Sequence, residues 1–189
     1  MSELKPQAIR AEALESLLIE QNHLTAEAVD EVIIRYNERV GPMNGARVVA
    51  KAWADPDYKA CLLEDGTKAI EEFEFEGGEI DKLVVVENTA TVHNVVVCTL
   101  CSCYPWGLLG LPPRWYKDPA YRSRIVREPR AVLAEFGVVL DDDVEVKVWD
   151  SSAEVRYMVL PMRPDAAAAM DERAVLELIT RDAMIGVAR

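Results

Sequence analysis

Histidine and cysteine are scarce in this chain, with two of the former and four of the latter among 189 residues. That scarcity excludes several common metal and redox designs. A structural zinc cage takes two ligand pairs from two separated segments, each pair spaced two to four residues apart. Here Cys98, Cys101 and Cys103 lie together, while Cys61, His23 and His93 are scattered singly. An iron–sulfur cluster wants four cysteines, and the fourth is far off in another segment. Four cysteines with three clustered do not make a disulfide framework, which fits a reducing compartment. Long apolar runs are missing too. No stretch approaches the length of a membrane span, and Met1 to Arg10 carry no apolar signal core, so a cytoplasmic location is expected. Basic residues are outnumbered, 21 against 33 acidic, giving a formal charge of −12. That balance argues against nucleic acid and anionic membranes as partners.

What is present is an ordinary globular composition, 50% apolar and 29% charged. The length suits one domain with a sizeable core, spanning residues 1–189. Most of the basic residues of one stretch, Arg114, Lys117, Arg122, Arg124, Arg127 and Arg130, crowd together after the cysteines. Such a run usually marks a solvated face, and no catalytic role is assigned to it.

The segment Cys98-Thr99-Leu100-Cys101-Ser102-Cys103 follows an apolar run, Val95 to Val97, and precedes Tyr104-Pro105-Trp106. Three thiols in six positions ask for an ion held from one short piece of chain. If Cys101-Ser102-Cys103 folds around that ion, two sulfurs and the backbone nitrogens of Ser102 and Cys103 can lie in one plane. Neither nitrogen belongs to proline, so both can lose a proton and bind. Cys98 can then add a third sulfur from below, leaving one octahedral position open. Such nitrogen and sulfur donation disfavours zinc and favours a transition metal with partly filled d orbitals. The spacing permits this claw without requiring it. A thioredoxin-like pair needs a strand–motif–helix context and leaves Cys103 unexplained.

The periodicity predicts an α+β domain. Residues 11–18 and 26–40 carry apolar side chains at helical spacing, with Thr25 as N-cap of the second segment. A third helix over 44–54 is stopped by Asp55-Pro56. Residues 1–55 thus form a helical N-terminal extension, and a mixed β core with flanking helices follows. Glu72 to Glu76 alternates without favouring helix or strand. Residues 83–86 and 95–97 read as strands, so the cysteines begin at the end of a buried strand and enter a loop. Pro105, Pro112 and Pro113 are expected to keep that loop out of regular structure. Residues 144–149 and 155–160 form two more strands joined by a short turn, and 171–178 a last helix. His93 reads as a satisfied structural histidine and Cys61 as a small core residue.

Val97 to Cys103 with Tyr104-Pro105-Trp106 resembles the metal-binding motif of the nitrile hydratase α subunit. The similarity continues through Gly110-Leu111-Pro112-Pro113, Trp115-Tyr116-Lys117, Tyr121-Arg122-Ser123-Arg124, Arg127-Glu128-Pro129-Arg130, Val148-Trp149-Asp150-Ser151 and Thr180-Arg181-Asp182. It is densest over residues 84–164. The γ subunit of thiocyanate hydrolase shares the motif and is the alternative within the superfamily; a metal carrier without activity is the alternative outside it.

The resemblance implies hydration of a nitrile to an amide at a low-spin trivalent metal. Its ligands would be Cys98, Cys101, Cys103 and the amides of Ser102 and Cys103. Cys101 would be the sulfinate, Cys103 the sulfenate and Cys98 a plain thiolate. Catalysis would rest on Cys103, Cys101 and Ser102, with Trp106 and Glu79 at the substrate pocket. Thr99 resembles the cobalt form, Co(III), whereas serine there marks the iron form, Fe(III). A β-type subunit would supply arginines to the oxidised sulfurs, the N-terminal helices would wrap it, and an activator or metallochaperone would load cobalt. Three departures from the family pattern stand out: Gly107-Leu108 for Pro-Val, Met162 for glutamine, and Glu79 where glutamine is usual. They imply a larger or more polar nitrile.

Overall fold

The computed structural model describes residues 6–36, 40–75, 82–101 and 103–189. The chain divides into two compact units, Met1–Arg39 and Val40–Arg189.

In the first unit, α1 (Pro6–Glu20) and α2 (Ala26–Ile34) bury no residue. Ile9, Leu14, Leu17, Val32, Ile33 and Ile34 are exposed apolar side chains. Thr25 caps α2 as the sequence predicts, its hydroxyl accepting from the Ala28 N–H at 3.1 Å. The α-helical part ends at Ile34, short of the expected residue 40, and residues 37–39 lie outside the described set.

The second unit opens with α3 (Met43–Ala54), whose Ala46, Val48 and Val49 are fully buried. The apolar face of this helix belongs to the core of Val40–Arg189. Asp55 ends it and starts α4 (Pro56–Glu64), its carboxylate accepting from the Asp57 and Tyr58 N–H groups at 3.0 and 3.1 Å. Proline at the first helical position fits because that N–H has no partner in a helix anyway. Cys61 on α4 is exposed, not a core residue as the sequence suggested. The alternating stretch after α5 (Gly66–Ile70) forms a 3-10 turn at Glu71–Phe73 that stops on Glu74 at φ 48°. Phe73 and Phe75 then stack at 4.9 Å beneath the Arg47 guanidinium.

Among the described residues, four strands make two parallel pairs. β1 (Leu83–Glu87) pairs with β4 (Arg156–Leu160), and β2 (Val92–Val97) pairs with β3 (Glu145–Asp150). The last two strands therefore do not pair with each other across their short turn; each joins an earlier strand. Parallel pairing demands a long crossover. Between β2 and β3 it contains α6 (Trp106–Leu109), a 3-10 turn at Arg114–Lys117, α7 (Pro119–Arg127) and α8 (Pro129–Glu135). The prolines after the cysteines thus introduce short helical turns where an irregular loop was expected, because proline tolerates the start of a helix.

A buried polar knot fastens β2 to its neighbours. Asn94 accepts the Trp149 indole N–H at 2.8 Å and donates its amide to Glu87 O at 2.7 Å and Asn88 Oδ1 at 3.1 Å. The chain closes with α9 (Glu172–Leu178) and α10 (Arg181–Ile185). Gly186 follows at φ +92°, where a Cβ would stand 2.0 Å from the Asn94 carbonyl oxygen. His93 on β2 is buried and donates from Nε2 to the Gly186 carbonyl at 2.7 Å, the satisfied histidine that was expected.

Candidate metal centre

The carboxyl ends of β2 and β3 coincide, Val97 standing opposite Asp150 in the ladder. The three cysteines leave the sheet at that point. Cys98 continues β2 and is completely buried, Cys103 is half-buried, and Cys101 is exposed. Cys98 Sγ and Cys101 Sγ are 3.5 Å apart, and Cys101 Sγ and Cys103 Sγ 3.2 Å. All three sulfurs lie within 4.8 Å of one another. The Cys101 N–H also points at Cys98 Sγ, at 3.3 Å.

These distances test the sulfurs against a shared ion. With metal–sulfur bonds near 2.3 Å, adjacent ligands are about 3.3 Å apart around an octahedron and about 3.8 Å apart around a tetrahedron. The separations of 3.2 and 3.5 Å fall below the tetrahedral spacing, and the shorter one matches the octahedral edge. The donor set fits a single thiophilic cation approached from the solvent side. Ser102, whose amide the sequence assigns to the same ion, lies outside the described residues, as does Glu79.

Crowding leaves its mark on acidity. Burial, reinforced by the neighbouring Cys101 and Cys98, pushes the Cys103 thiol up to about 12. The surroundings thus disfavour a thiolate at Cys103. A multivalent cation between the three sulfurs reverses that preference, since coordination deprotonates a thiol outright.

Side chains from later in the sequence grip the loop. Asp150 takes two hydrogen bonds from Thr99, one from its N–H at 2.9 Å and one from its hydroxyl at 2.6 Å. Arg122 on α7 donates Nη1 to the Cys101 carbonyl at 2.9 Å. Tyr116 donates its hydroxyl to the Cys103 carbonyl at 2.9 Å. Tyr116 is fully buried, packs edge-on against Tyr104 at 5.2 Å, and its phenol is shifted upward by that burial. Tyr121 ties α7 to β2 through the Val96 carbonyl, at 2.9 Å. From α3, Asn44 donates its amide to Gly107 O at 3.0 Å, fixing α6. Trp106 begins α6, is 36% exposed, and has Lys117 Nζ 5.9 Å from its ring centroid.

The sequence reading placed the cysteines together and the structure brings all three to one point. It gave no role to Asp150, Arg122 or Tyr116. A strand that ends on an acidic residue, as 145–150 does, was the one available signal for Asp150; nothing in the local pattern marks Arg122.

Comparison with known proteins agrees with this geometry. A family model described as nitrile hydratase, alpha chain, matches residues 5–188. The low-molecular weight cobalt-containing nitrile hydratase subunit alpha of Rhodococcus rhodochrous is 53% identical over 180 residues, covering 95% of this chain and 87% of that one. Thiocyanate hydrolase subunit gamma of Thiobacillus thioparus is 43% identical over 187 residues, covering 93% and 76%. Among solved structures, a double mutant of the iron-type nitrile hydratase from Comamonas testosteroni Ni1 superposes with a TM-score of 0.88 at 41% identity, covering 100% of this chain and 92% of that one. No helix among the described residues is long and apolar enough to cross a membrane. Because the similarity runs through the cysteine loop and its supports alike, the chain belongs to the nitrile hydratase alpha-chain family.

Proposed function

We propose that this chain is the metal-binding catalytic subunit of a nitrile hydratase, a hydro-lyase that adds water across a nitrile to give an amide. The observation that carries this is the convergence of the Cys98, Cys101 and Cys103 sulfurs within 4.8 Å of one another. The ligands are those three sulfurs with the amide nitrogens of Ser102 and Cys103. Cobalt is the favoured metal, from Thr99 and from cobalt-containing relatives; an iron-type structural neighbour keeps iron as the second choice. When bound, a trivalent ion supplies Lewis acidity, making the nitrile carbon easier for water to attack.

The chain's own residues set the surroundings. Cys98 is sealed in the core, whereas Cys103 is half-buried and Cys101 open. Oxidation follows access and thiolate character. That gradient supports a plain thiolate at Cys98, a sulfinate at Cys101 and a sulfenate at Cys103. The oxygens so added would accept hydrogen bonds, and arginines of a β-type partner would supply them. Trp106, 36% exposed and three residues after Cys103, would offer an apolar wall to the substrate, and Glu79 would tune the pocket toward larger or more polar nitriles. The unburied apolar side chains of α1 and α2 supply a surface for the partner. Loading calls for a dedicated activator or metallochaperone, and the expected location is cytoplasmic.

Thiocyanate hydrolysis is the second reading, on the strength of the γ-subunit similarity. Its substrate is an anion, which the acidic surplus of this chain disfavours. The test is a purified assembly of this chain with its β-type partner, assayed for metal content, for the mass of the 98–103 peptide, and for turnover. Cobalt near one per chain, three added oxygens and amide release from a nitrile are expected. Ammonia from thiocyanate without amide from any nitrile would favour the alternative; zinc with unmodified thiols would reduce the chain to a carrier.

A further inference from the structure

The peptide joining Cys101 to Ser102 matters at both ends. Its nitrogen belongs to the proposed ligand set, and its carbonyl oxygen accepts from Arg122 Nη1 at 2.9 Å. We propose that Arg122 balances the charge of the claw: its guanidinium neutralises the negative charge this peptide gains when its nitrogen binds a cation in place of its proton. The inference rests on the ligand set above and adds a positioning residue from the same chain.

The chemistry is that of peptide resonance. The N–H bond breaks, the proton leaves to solvent, and the electron pair left on nitrogen binds the ion. Amide conjugation spreads the resulting charge over nitrogen and the carbonyl oxygen. A cationic donor on that oxygen forms a charge-assisted hydrogen bond, about twice as strong as a neutral one. Three thiolates and two such nitrogens carry more negative charge than a trivalent ion offsets, so a fixed cation on the backbone side stabilises the whole set.

Arg122 is placed for this and for little else. It makes no ion pair among the described residues, and its Nε is buried without a partner. Arg124, two residues further along the same helix, is by contrast held by Glu128 and Glu135. Among the described residues, therefore, no carboxylate cancels the charge of Arg122. It is also only part-exposed, lining with Thr99, Ser123 and Arg127 a cavity of about 290 Å³. Its helix is tied to the strand that carries the claw by the Tyr121 to Val96 hydrogen bond, and buries Ile125 in the core. The Cys103 carbonyl, whose peptide nitrogen belongs to Tyr104 and is no ligand, is met by the neutral Tyr116 hydroxyl. Between these two carbonyls, the cation falls on the one conjugated with a proposed ligand nitrogen.

The experiment uses the full chain in its native assembly after growth on cobalt. Cobalt loss to excess chelator and the sulfur-to-metal absorption bands are followed in wild type, R122K, R122Q and R122A. We expect R122Q and R122A to lose cobalt at least about tenfold faster, the usual scale for groups that support metal ligands, with displaced bands. R122K, or millimolar guanidinium added to R122A, should restore retention, and neutral urea should not. Retention and bands like wild type in R122Q, or rescue by urea as good as by guanidinium, would overturn the role of charge at Arg122. Absence of cobalt from the wild-type assembly would overturn the ligand set itself, and the two failures are distinct. Melting of the metal-stripped chains separates a folding defect from a metal defect, and equal loss from R122K and R122Q with lowered melting would make Arg122 merely structural.

Discussion

Thr99 gives both its backbone N–H and its hydroxyl to one carboxylate, that of Asp150. The two residues are 51 positions apart in sequence, yet one is the first residue past Cys98 and the other ends the paired strand. The contact fixes the direction in which the chain leaves the sheet toward Cys101.

Removing that carboxylate should loosen the claw more than it weakens the fold. Asp150→Ala is expected to reduce metal affinity by about ten- to a hundredfold. Asp150→Asn keeps an acceptor and should fall between. Thr99→Ser retains the hydroxyl and should hold its metal as wild type does. Competition with a calibrated chelator measures all three, and an Asp150→Ala chain with unaltered affinity would refute the clamp.

Two glycines with the same backbone conformation should respond differently to alanine. At Gly186 an added Cβ would meet the Asn94 carbonyl oxygen at 2.0 Å and Val95 Cα at 2.9 Å, besides the strain of φ +92°. Gly137, at φ +86°, has nothing within 4 Å of such a Cβ. Gly186→Ala is expected to cost about 2–5 kcal/mol, and Gly137→Ala only the conformational part, about 1–2 kcal/mol. Urea unfolding of the two variants gives the difference directly.

His93 should make stability fall on mild acidification. Burial holds its pKa below the ordinary histidine value; the Gly186 carbonyl opposes the shift and nearby Arg189 adds to it. The unfolded chain then binds the extra proton first, so stability rises with pH across the interval between the two values. The contribution is complete above about pH 6.5 and is lost as pH falls from there toward the folded value. The stability gap between wild type and His93→Gln should shrink between pH 7.5 and 5.5. A gap that stays constant over that range would exclude the histidine as its source.

Much of this architecture was legible because its signals are local. Val95 to Val97 followed by cysteine announces a buried strand that runs into a metal loop, and Thr25 and Asp55 are caps readable by residue type. Pairing was not legible. The strands 145–150 and 156–160 are neighbours in sequence, and only the folded chain reveals that each finds an earlier partner. Burial of single residues on helices was equally hidden: Cys61 and Leu62 are adjacent, one exposed and the other wholly buried. Arg122 resembled its neighbours in a basic run, and only the carbonyl it meets distinguishes it.

The Trp149 indole offers a check on the polar knot. Its N–H is donated to Asn94 Oδ1, whose residue is 2% exposed. Trp149→Phe strands that buried acceptor and should cost about 1–3 kcal/mol, more than the loss of apolar area explains. Trp149→Phe combined with Asn94→Ala should cost less than the sum of the single changes, a coupling that thermal melts can resolve.

The parallel pairing of β2 with β3 also sets a timetable. During synthesis the three cysteines emerge well before Asp150, and chain growth proceeds at roughly 5–20 residues each second. Until residues 145–150 have emerged, β2 has no ladder partner and Thr99 no carboxylate. An ion that arrives early meets loose thiols on a nascent chain; one that arrives late meets a finished socket. Truncated chains ending before Glu145 should therefore be translated with every cysteine present and still fail to hold the metal.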